Sequence, residues 1–138
     1  MNIGFMGLGK LGLPCALAIE NAGHSVFGYD LSPQVKKTLE ERRLPYREEG
    51  AQELLNRHNI EWCDVAGLVE NSEIIFVPIQ TPHLPKYEGT TRLPEDRVDF
   101  DYTWLKEGLA TLSQEIEKQG EDKIVVIIST VLPGTIRR

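Results

Sequence analysis

Apolar residues along this 138-residue chain fall into short runs that alternate with longer segments in which they recur at helical spacing. The short runs predict five β-strands, at Asn2–Met6, Ser25–Tyr29, Ile60–Cys63, Glu73–Pro78 and Lys123–Ile128. The segments between them predict five helices, at Leu11–Ala22, Pro33–Glu41, Ala51–Arg57, Val65–Glu70 and Tyr102–Lys118. Because strand and helix alternate, we expect an α/β fold, a doubly wound parallel sheet with helices on both faces.

The last predicted helix and the segment before it differ in regularity. In the helix, apolar residues recur on one face and are expected to pack on the sheet as a stripe: Trp104, Leu105, Leu109, Leu112 and Ile116. Residues 79–100 contain three prolines and many charges, which exclude a regular element. We therefore expect an irregular loop there, and long loops in compact domains are usually functional or mobile.

The first predicted strand runs into the turn Gly7-Leu8-Gly9-Lys10-Leu11-Gly12, and the second is followed by Asp30, eighteen residues after the last glycine. A G-x-G-x-x-G turn between a strand and a helix, followed by an acid, is the fingerprint of a dinucleotide site and makes the expected sheet Rossmann-type. Gly7 permits the tight turn, Gly9 lets a pyrophosphate approach the backbone, and Gly12 allows close packing of the helix.

The two ends of this motif predict how the dinucleotide is held. The N–H groups of the first helical turn, including that of Leu11, are expected to face the pyrophosphate, with the helix dipole behind them. The Asp30 carboxylate is expected to accept hydrogen bonds from the adenosine ribose and to repel a 2′-phosphate. The motif therefore predicts NAD in preference to NADP. The alternative is a glycine-rich turn in some other α/β protein.

Two further polar segments follow predicted strands, Thr81-Pro82 and Ser129-Thr130. Ligands of doubly wound sheets bind beyond the carboxyl ends of the strands, so these hydroxyls are candidates for the nicotinamide half of a dinucleotide. Threonine after a strand is also common as a cap or turn residue. Position alone leaves both interpretations open.

Composition excludes several classes of function. A net charge of −6 argues against a nucleic-acid or anionic-membrane partner. No apolar run approaches the roughly 20 residues that a membrane span needs, and we expect a cytoplasmic protein. The two cysteines, Cys15 and Cys63, have neither CxxC spacing nor a matching histidine pattern. We expect them to be reduced, mostly buried thiols and expect no metal site.

Several segments in a fixed order carry a family resemblance: the glycine turn followed by Leu13-Pro14, then Gly23-His24, Thr81-Pro82, Asp101-Tyr102 and residues 129–135, STVLPGT. Together they resemble the N-terminal domain of the UDP-glucose/GDP-mannose dehydrogenase family, least in residues 42–72 and 83–98. The resemblance implies NAD-dependent oxidation of the C6 alcohol of a nucleotide sugar to a carboxylate, for polysaccharide biosynthesis. It also implies that residues 1–138 are the NAD-binding domain. The central and C-terminal nucleotide-sugar-binding domains, with the catalytic cysteine, are absent, so the chain alone is expected to be inactive.

The resemblance implies individual roles as well. Leu11, Asp30, Thr81 and Thr130 match family residues that contact NAD, and Thr130 also matches a threonine that helps to hold a water in the active site. A short hydroxyl side chain at the end of a strand suits that role because it orients a polar group without carrying charge.

The chain departs from the family at two positions, one occupied by a lysine and the other directly followed by one. Lys10 lies in the turn at a position where the family often has an aromatic residue. Val35 occupies a position, five residues after the acid, where the family often has a basic residue. Lys36 follows it directly and is the candidate substitute. Both lysines therefore count among the candidate cofactor-binding residues.

Two alternatives remain open. Residues 3–10, IGFMGLGK, also resemble the start of 3-hydroxyisobutyrate and 6-phosphogluconate dehydrogenases, although Pro14, Thr81-Pro82 and residues 129–135 favour the first family. The second alternative is a stand-alone NAD-binding module without catalysis. The end at Arg138, just after a strand and its loop, favours an interrupted chain. A monomer or a weak homodimer is expected.

Overall fold

A computed structural model describes residues 1–90, 92, 94–96 and 98–137. Thr91, Leu93 and Arg97 of the predicted loop, and the terminal Arg138, lie outside the described residues. The strands of the described chain are β1 (Asn2–Met6), β2 (Ser25–Tyr29), β3 (Glu61–Trp62), β4 (Ile74–Val77) and β5 (Ile124–Ile127). They form one parallel sheet in the order β3-β2-β1-β4-β5. The predicted doubly wound sheet of five strands is confirmed.

Helices connect these strands: α1 (Gly12–Asn21), α2 (Pro33–Glu41), α3 (Ala51–Asn56), α4 (Val65–Asn71) and α5 (Thr103–Gln119). Short 3₁₀ turns lie at Pro85–Tyr87 and Thr135–Arg137. The first of them corrects the expectation that residues 79–100 hold no regular element, because the fixed φ of Pro85 suits the first position of a helical turn. None of the helices in the described part of the chain is long and apolar enough to cross a membrane.

The sheet separates two apolar clusters. On one face, α1, α2 and α3 cover β1 and β2, and fully buried Phe5 and Leu17 belong to this cluster. On the other face, α4 and α5 pack on β1 and β4 through buried Leu68, Leu112 and Ile75. Successive residues of a strand point to opposite faces, so each central strand feeds both clusters. The predicted helices on both faces are confirmed.

Strand β3 is shorter than predicted because a histidine occupies the hydrogen bond that would begin it. The Ile60 N–H donates to His58 Nδ1 at 3.1 Å, and the other ring nitrogen lies 3.1 Å from the Leu39 carbonyl oxygen. Pairing with β2 therefore starts at Glu61, which lies opposite Phe27. A buried side-chain acceptor that takes a backbone N–H cannot be recognised from hydrophobic pattern.

Candidate dinucleotide site

The glycine turn has the geometry that its sequence predicts. Gly7 has a φ of 120°, a conformation that L side chains rarely adopt, and its N–H donates to the Tyr29 carbonyl at 2.8 Å. A Cβ at Gly12 would collide with the Gly7 carbonyl oxygen and lie 2.8 Å from Pro78 Cγ. A Cβ at Gly9 would meet nothing within 4 Å. The turn thus has no room for a side chain at Gly12, and the space next to Gly9 is open.

Asp30 ties this turn to the end of β2. One carboxylate oxygen accepts from the Leu8 N–H at 2.8 Å, and the other accepts from the Ser32 N–H, also at 2.8 Å. An ionised carboxylate offers about four lone pairs, so each oxygen can still accept from a further donor. Asp30 can therefore hold the turn in place and also bind a ligand.

A cleft of about 520 Å³ opens above the glycine turn, at the carboxyl ends of β1, β2 and β4. Its lining comes from the end of β1 and the turn, from the end of β2 through the start of α2, from the segment after β4, and from α5: Met6, Gly7, Gly9, Tyr29, Asp30, Leu31, Ser32, Val35, Pro78, Ile79, Gln80, Trp104, Glu107, Gly108 and Thr111. The sheet order reverses between β1 and β4, which is where open α/β sheets bind their ligands. The volume lies in the ordinary range for a cofactor site.

The predicted site residues divide between this lining and its margin. Gly7, Gly9 and Asp30 line the cleft, and Gly12 is buried beneath the turn. Lys10 and Leu11 are exposed on the same turn, and neither is among the residues that line the cleft.

Helix α2 places the candidate Lys36 and its neighbour Val35 differently. Val35, rather than Lys36, lines the cleft, while the Lys36 side chain is exposed to solvent. The position that is often basic in the family therefore presents an apolar side chain to the cleft in this chain.

The two candidate threonines are brought together at the ends of β4 and β5. The Thr81 hydroxyl donates to the Thr130 carbonyl oxygen at 2.7 Å. Nearby, the buried Ser129 hydroxyl donates to the Val77 carbonyl at 3.1 Å. Neither threonine lines the 520 Å³ cleft, although Thr81 directly follows Gln80, which does.

Helix α5 forms one wall of the cleft, through Trp104, Glu107, Gly108 and Thr111, and the sequence pattern did not predict this wall. Trp104 is 55% exposed and faces the cleft, so its assignment to the stripe that packs on the sheet is wrong. Buried Leu105 and Leu112, with partly buried Leu109 and Ile116, do form that stripe. The signal that could have found this wall is a second face of the helix: Trp104, Glu107 and Thr111 recur at spacings of three and four residues.

Gly108 lies on the side of α5 that borders the cleft. A Cβ at this position would collide with Ile79 Cδ1 and would lie 3.8 Å from Met6 Cε. The Ile79 side chain occupies the space that a Cβ would need, so the helix packs against the segment after β4 at this position. The neighbouring residue Glu107 lines the cleft.

The thiols lie outside this cleft. Cys15 and Cys63 are free and partly buried, in agreement with the expectation of reduced, mostly buried thiols. The Cys63 Sγ–H donates to the Gly28 carbonyl at 3.6 Å, and burial, with a smaller effect of Asp64, raises the pKa of this thiol to about 11. Since the thiolate is the reactive form, Cys63 is a poor nucleophile near neutral pH.

Comparison with known sequences identifies what the chain is similar to. The sequence model of the UDP-glucose/GDP-mannose dehydrogenase family, NAD binding domain, matches residues 1–138. UDP-N-acetyl-D-mannosamine dehydrogenase of Pyrococcus horikoshii is 26% identical over 142 residues, covering 100% of this chain and 30% of that protein. GDP-mannose 6-dehydrogenase of Pseudomonas aeruginosa is 28% identical over 141 residues, covering 99% of this chain and 30% of the relative.

Solved structures give the same result. A ternary complex of GDP-mannose dehydrogenase from Pseudomonas aeruginosa matches with a TM-score of 0.84 and 26% identity, over 100% of this chain and 30% of that one. UDP-glucose dehydrogenase from Pyrobaculum islandicum matches with a TM-score of 0.80 and 25% identity, over 97% of this chain and 30% of the other. The chain thus spans less than a third of the length of these relatives.

Proposed function

The chain belongs to the UDP-glucose/GDP-mannose dehydrogenase family as its NAD-binding domain, and from this premise we propose which of its residues hold NAD. The pyrophosphate lies over the glycine turn at Gly9, and the adenosine ribose lies at Asp30. One observation carries this assignment: Gly9 borders open space inside a cleft that Asp30 also lines. A phosphate can therefore approach the backbone at Gly9 without displacing any side chain.

The turn contributes backbone donors and little side-chain charge. Helix α1 begins at Gly12, directly after Leu11, so its first N–H groups and the positive end of its dipole are directed toward the turn. Lys10 and Lys36 are exposed next to these elements, and we assign them a supporting electrostatic role toward the phosphates. Their exposure makes this contribution small and dependent on salt.

Asp30 selects NAD over NADP. Its two oxygens each accept one backbone N–H and keep capacity for the ribose hydroxyls. A 2′-phosphate at this place would bring a second negative charge to a carboxylate, and the side chain at Val35 offers no compensating cation. Binding of NADP is therefore disfavoured electrostatically.

Thr81 and Thr130 serve the nicotinamide half. The Thr81 hydroxyl proton is engaged by the Thr130 carbonyl, so its oxygen is available as an acceptor for an amide N–H of the cofactor. The Thr130 hydroxyl has no partner among the described residues and is free to hold a water or a cofactor oxygen. This fits the role implied by the family resemblance.

Bound NAD supplies a hydride acceptor for the oxidation of an alcohol. We propose that a longer protein containing this domain oxidises the C6 alcohol of a nucleotide sugar to the uronate, using central and C-terminal domains for the sugar nucleotide. The names of the relatives support this substrate class. We further propose that the protein is cytoplasmic and acts in polysaccharide biosynthesis. The residues of this chain bind and orient the cofactor.

Calorimetric titration of the purified chain tests the proposal. We expect NAD to bind with a clear preference over NADP, and we expect no NADH formation from UDP-glucose or GDP-mannose by this chain alone. Asp30→Ala should weaken NAD binding by about 1–3 kcal/mol, because the ribose hydroxyls lose a charged acceptor. Asp30→Asn removes the charge and keeps one acceptor oxygen, so it should relax the discrimination against NADP, and it should also lose the hydrogen bond from either the Leu8 or the Ser32 N–H.

Three results would contradict parts of this proposal. Equal affinity for NAD and NADP removes the role of Asp30. Failure of the folded chain to bind either dinucleotide at millimolar concentration overturns the cofactor site. Measurable NADH formation by this chain overturns its assignment as a domain that only binds the cofactor.

A further inference from the structure

The cleft presents large apolar side chains that remain exposed. Trp104 on α5 is 55% exposed, and Leu31, directly after β2, is 86% exposed; both line the cleft. Exposed apolar side chains on two segments of one concave site are typical of a site for a largely apolar group. An indole ring in particular offers a face on which an aromatic base can stack.

A single carboxylate accompanies this apolar surface on α5. Glu107 lies three residues after Trp104 and therefore on the same face of the helix, and it lines the cleft. Among the described residues, its carboxylate has no hydrogen-bond or ion-pair partner. An ionised carboxylate accepts hydrogen bonds and cannot donate them. The site thus combines a stacking surface with an exposed carboxylate that no described residue engages.

The proposed function determines which part of NAD meets this wall, and the following inference rests on it. If the adenosine ribose is at Asp30, the base attached to it extends toward Leu31 and α5. We propose that Trp104 packs against the adenine ring and that Glu107 accepts a hydrogen bond from its 6-amino group. Glu107 is then a specificity-determining residue that selects adenine over a 6-oxo purine.

The two purines differ in the group that they present at position 6. The 6-amino group of adenine is a donor, whereas the 6-oxo group of hypoxanthine is an acceptor that a carboxylate repels. Thr111, the other polar side chain on this face of α5, already donates its hydroxyl proton to the Glu107 carbonyl at 3.0 Å. It is therefore not available as a donor to a 6-oxo group. Replacement of adenine by hypoxanthine is expected to weaken binding about tenfold, the lower end of the range for a charged acceptor near solvent.

The test compares NAD with nicotinamide hypoxanthine dinucleotide by calorimetry. The chain as it stands should bind NAD about tenfold more tightly. Glu107→Gln should reduce this preference to about twofold or less, because an amide can present either a donor or an acceptor. Glu117→Gln, an exposed change on the same helix outside the cleft, is the matched control and should keep the full preference. Trp104→Leu should weaken both dinucleotides by the same factor, and Trp104→Phe should restore most of the affinity.

Fluorescence provides an independent measurement. The chain contains two tryptophans, so Trp62→Phe leaves Trp104 as the only tryptophan, which excitation at about 295 nm selects over the tyrosines. Its emission should change on addition of either dinucleotide and remain unchanged when nicotinamide mononucleotide, which lacks the purine, is added.

The outcomes separate this inference from the function on which it rests. If NAD binds and Asp30→Ala weakens it, but the preference over the hypoxanthine analogue is absent or survives Glu107→Gln, the role of Glu107 is wrong and the cofactor site stands. If Trp104 emission is insensitive to bound NAD, the stacking assignment is wrong. If neither dinucleotide binds to the folded chain, the proposed function itself fails.

Discussion

The two walls of the cleft differ in how their groups are bonded. The wall formed by the glycine turn is held by contacts within the chain, through the Gly7 N–H, both oxygens of Asp30, and the close approach of Gly12 to the Gly7 carbonyl. The wall formed by α5 presents two exposed side chains, Trp104 and Glu107, and no described residue engages the Glu107 carboxylate. The first wall therefore has its shape before any ligand arrives, and the second offers side chains whose partners a ligand would supply.

This difference separates stability from recognition. A substitution that disturbs the backbone of the turn should reduce the free energy of unfolding, because the turn also joins β1, β2 and α1. A substitution in the exposed side chains of α5 should change binding and leave stability nearly unaltered. Three substitutions in the glycine turn and at the margin of the cleft test this separation of stability from binding. They are given in decreasing order of their predicted effect.

Gly12→Ala should be the most damaging change at the site. The new Cβ would meet the Gly7 carbonyl, a backbone atom that cannot rotate away, and would lie 2.8 Å from Pro78 Cγ. We expect a loss of about 3 kcal/mol in the free energy of unfolding, which is the upper part of the range for overpacking. Urea unfolding followed by circular dichroism measures it. An unchanged midpoint would show that the turn can shift without cost, and the two walls would then not differ as described.

Gly9→Val should have the complementary effect. A Cβ at Gly9 meets nothing within 4 Å, so the free energy of unfolding should change by no more than about 0.5 kcal/mol. The same side chain would occupy the space through which the pyrophosphate reaches the backbone, so NAD affinity should fall by about 100-fold or more.

The pair Gly9→Val and Gly12→Ala forms its own control, because the two glycines lie three residues apart in one turn. Unfolding is measured by urea titration and binding by calorimetry on the same preparations. If Gly9→Val unfolds the chain, Gly9 has a structural role. If it binds NAD normally, the pyrophosphate does not lie over this turn.

The same contrast explains what the sequence could predict. Where the backbone geometry requires glycine, as at Gly7 and Gly12, the sequence shows it directly. The spacing of these glycines predicted the turn, the strand before it and the helix after it. The parallel sheet followed from the alternation of apolar runs and helical segments, and β1 and β2 were predicted with their observed bounds.

The α5 wall could not be predicted in this way. Periodicity places Trp104 next to Leu105 on the helix surface, about 100° apart, and does not say which of them meets the sheet. The answer depends on how α5 packs against Ile79, whose side chain occupies the space that a Cβ at Gly108 would need. An isolated glycine inside a helix signals close packing, but it does not identify the packing partner.

Thr81→Val is expected to have the smallest of the three effects. Thr81 lies at the margin of the cleft, where one side chain could both hold the fold together and contact the cofactor. The Thr81 hydroxyl joins the ends of β4 and β5 through its 2.7 Å bond to the Thr130 carbonyl, which is a contact within the chain like those of the glycine turn. Valine keeps the shape of the side chain and removes the hydroxyl. We expect a loss of about 1 kcal/mol in the free energy of unfolding, since one hydrogen bond near solvent is lost.

The effect of Thr81→Val on binding decides to which wall this residue belongs. If the Thr81 oxygen also accepts from the nicotinamide amide, affinity for NAD should fall about fivefold, while affinity for ADP-ribose, which lacks the nicotinamide, should stay unchanged. Thr103→Val, at the exposed start of α5 and outside the cleft lining, is the matched control for loss of a threonine hydroxyl. Equal weakening of NAD and ADP-ribose would mean that Thr81 acts only by holding the ends of β4 and β5 together. That result would place Thr81 with the internally bonded wall and leave the nicotinamide half to other residues.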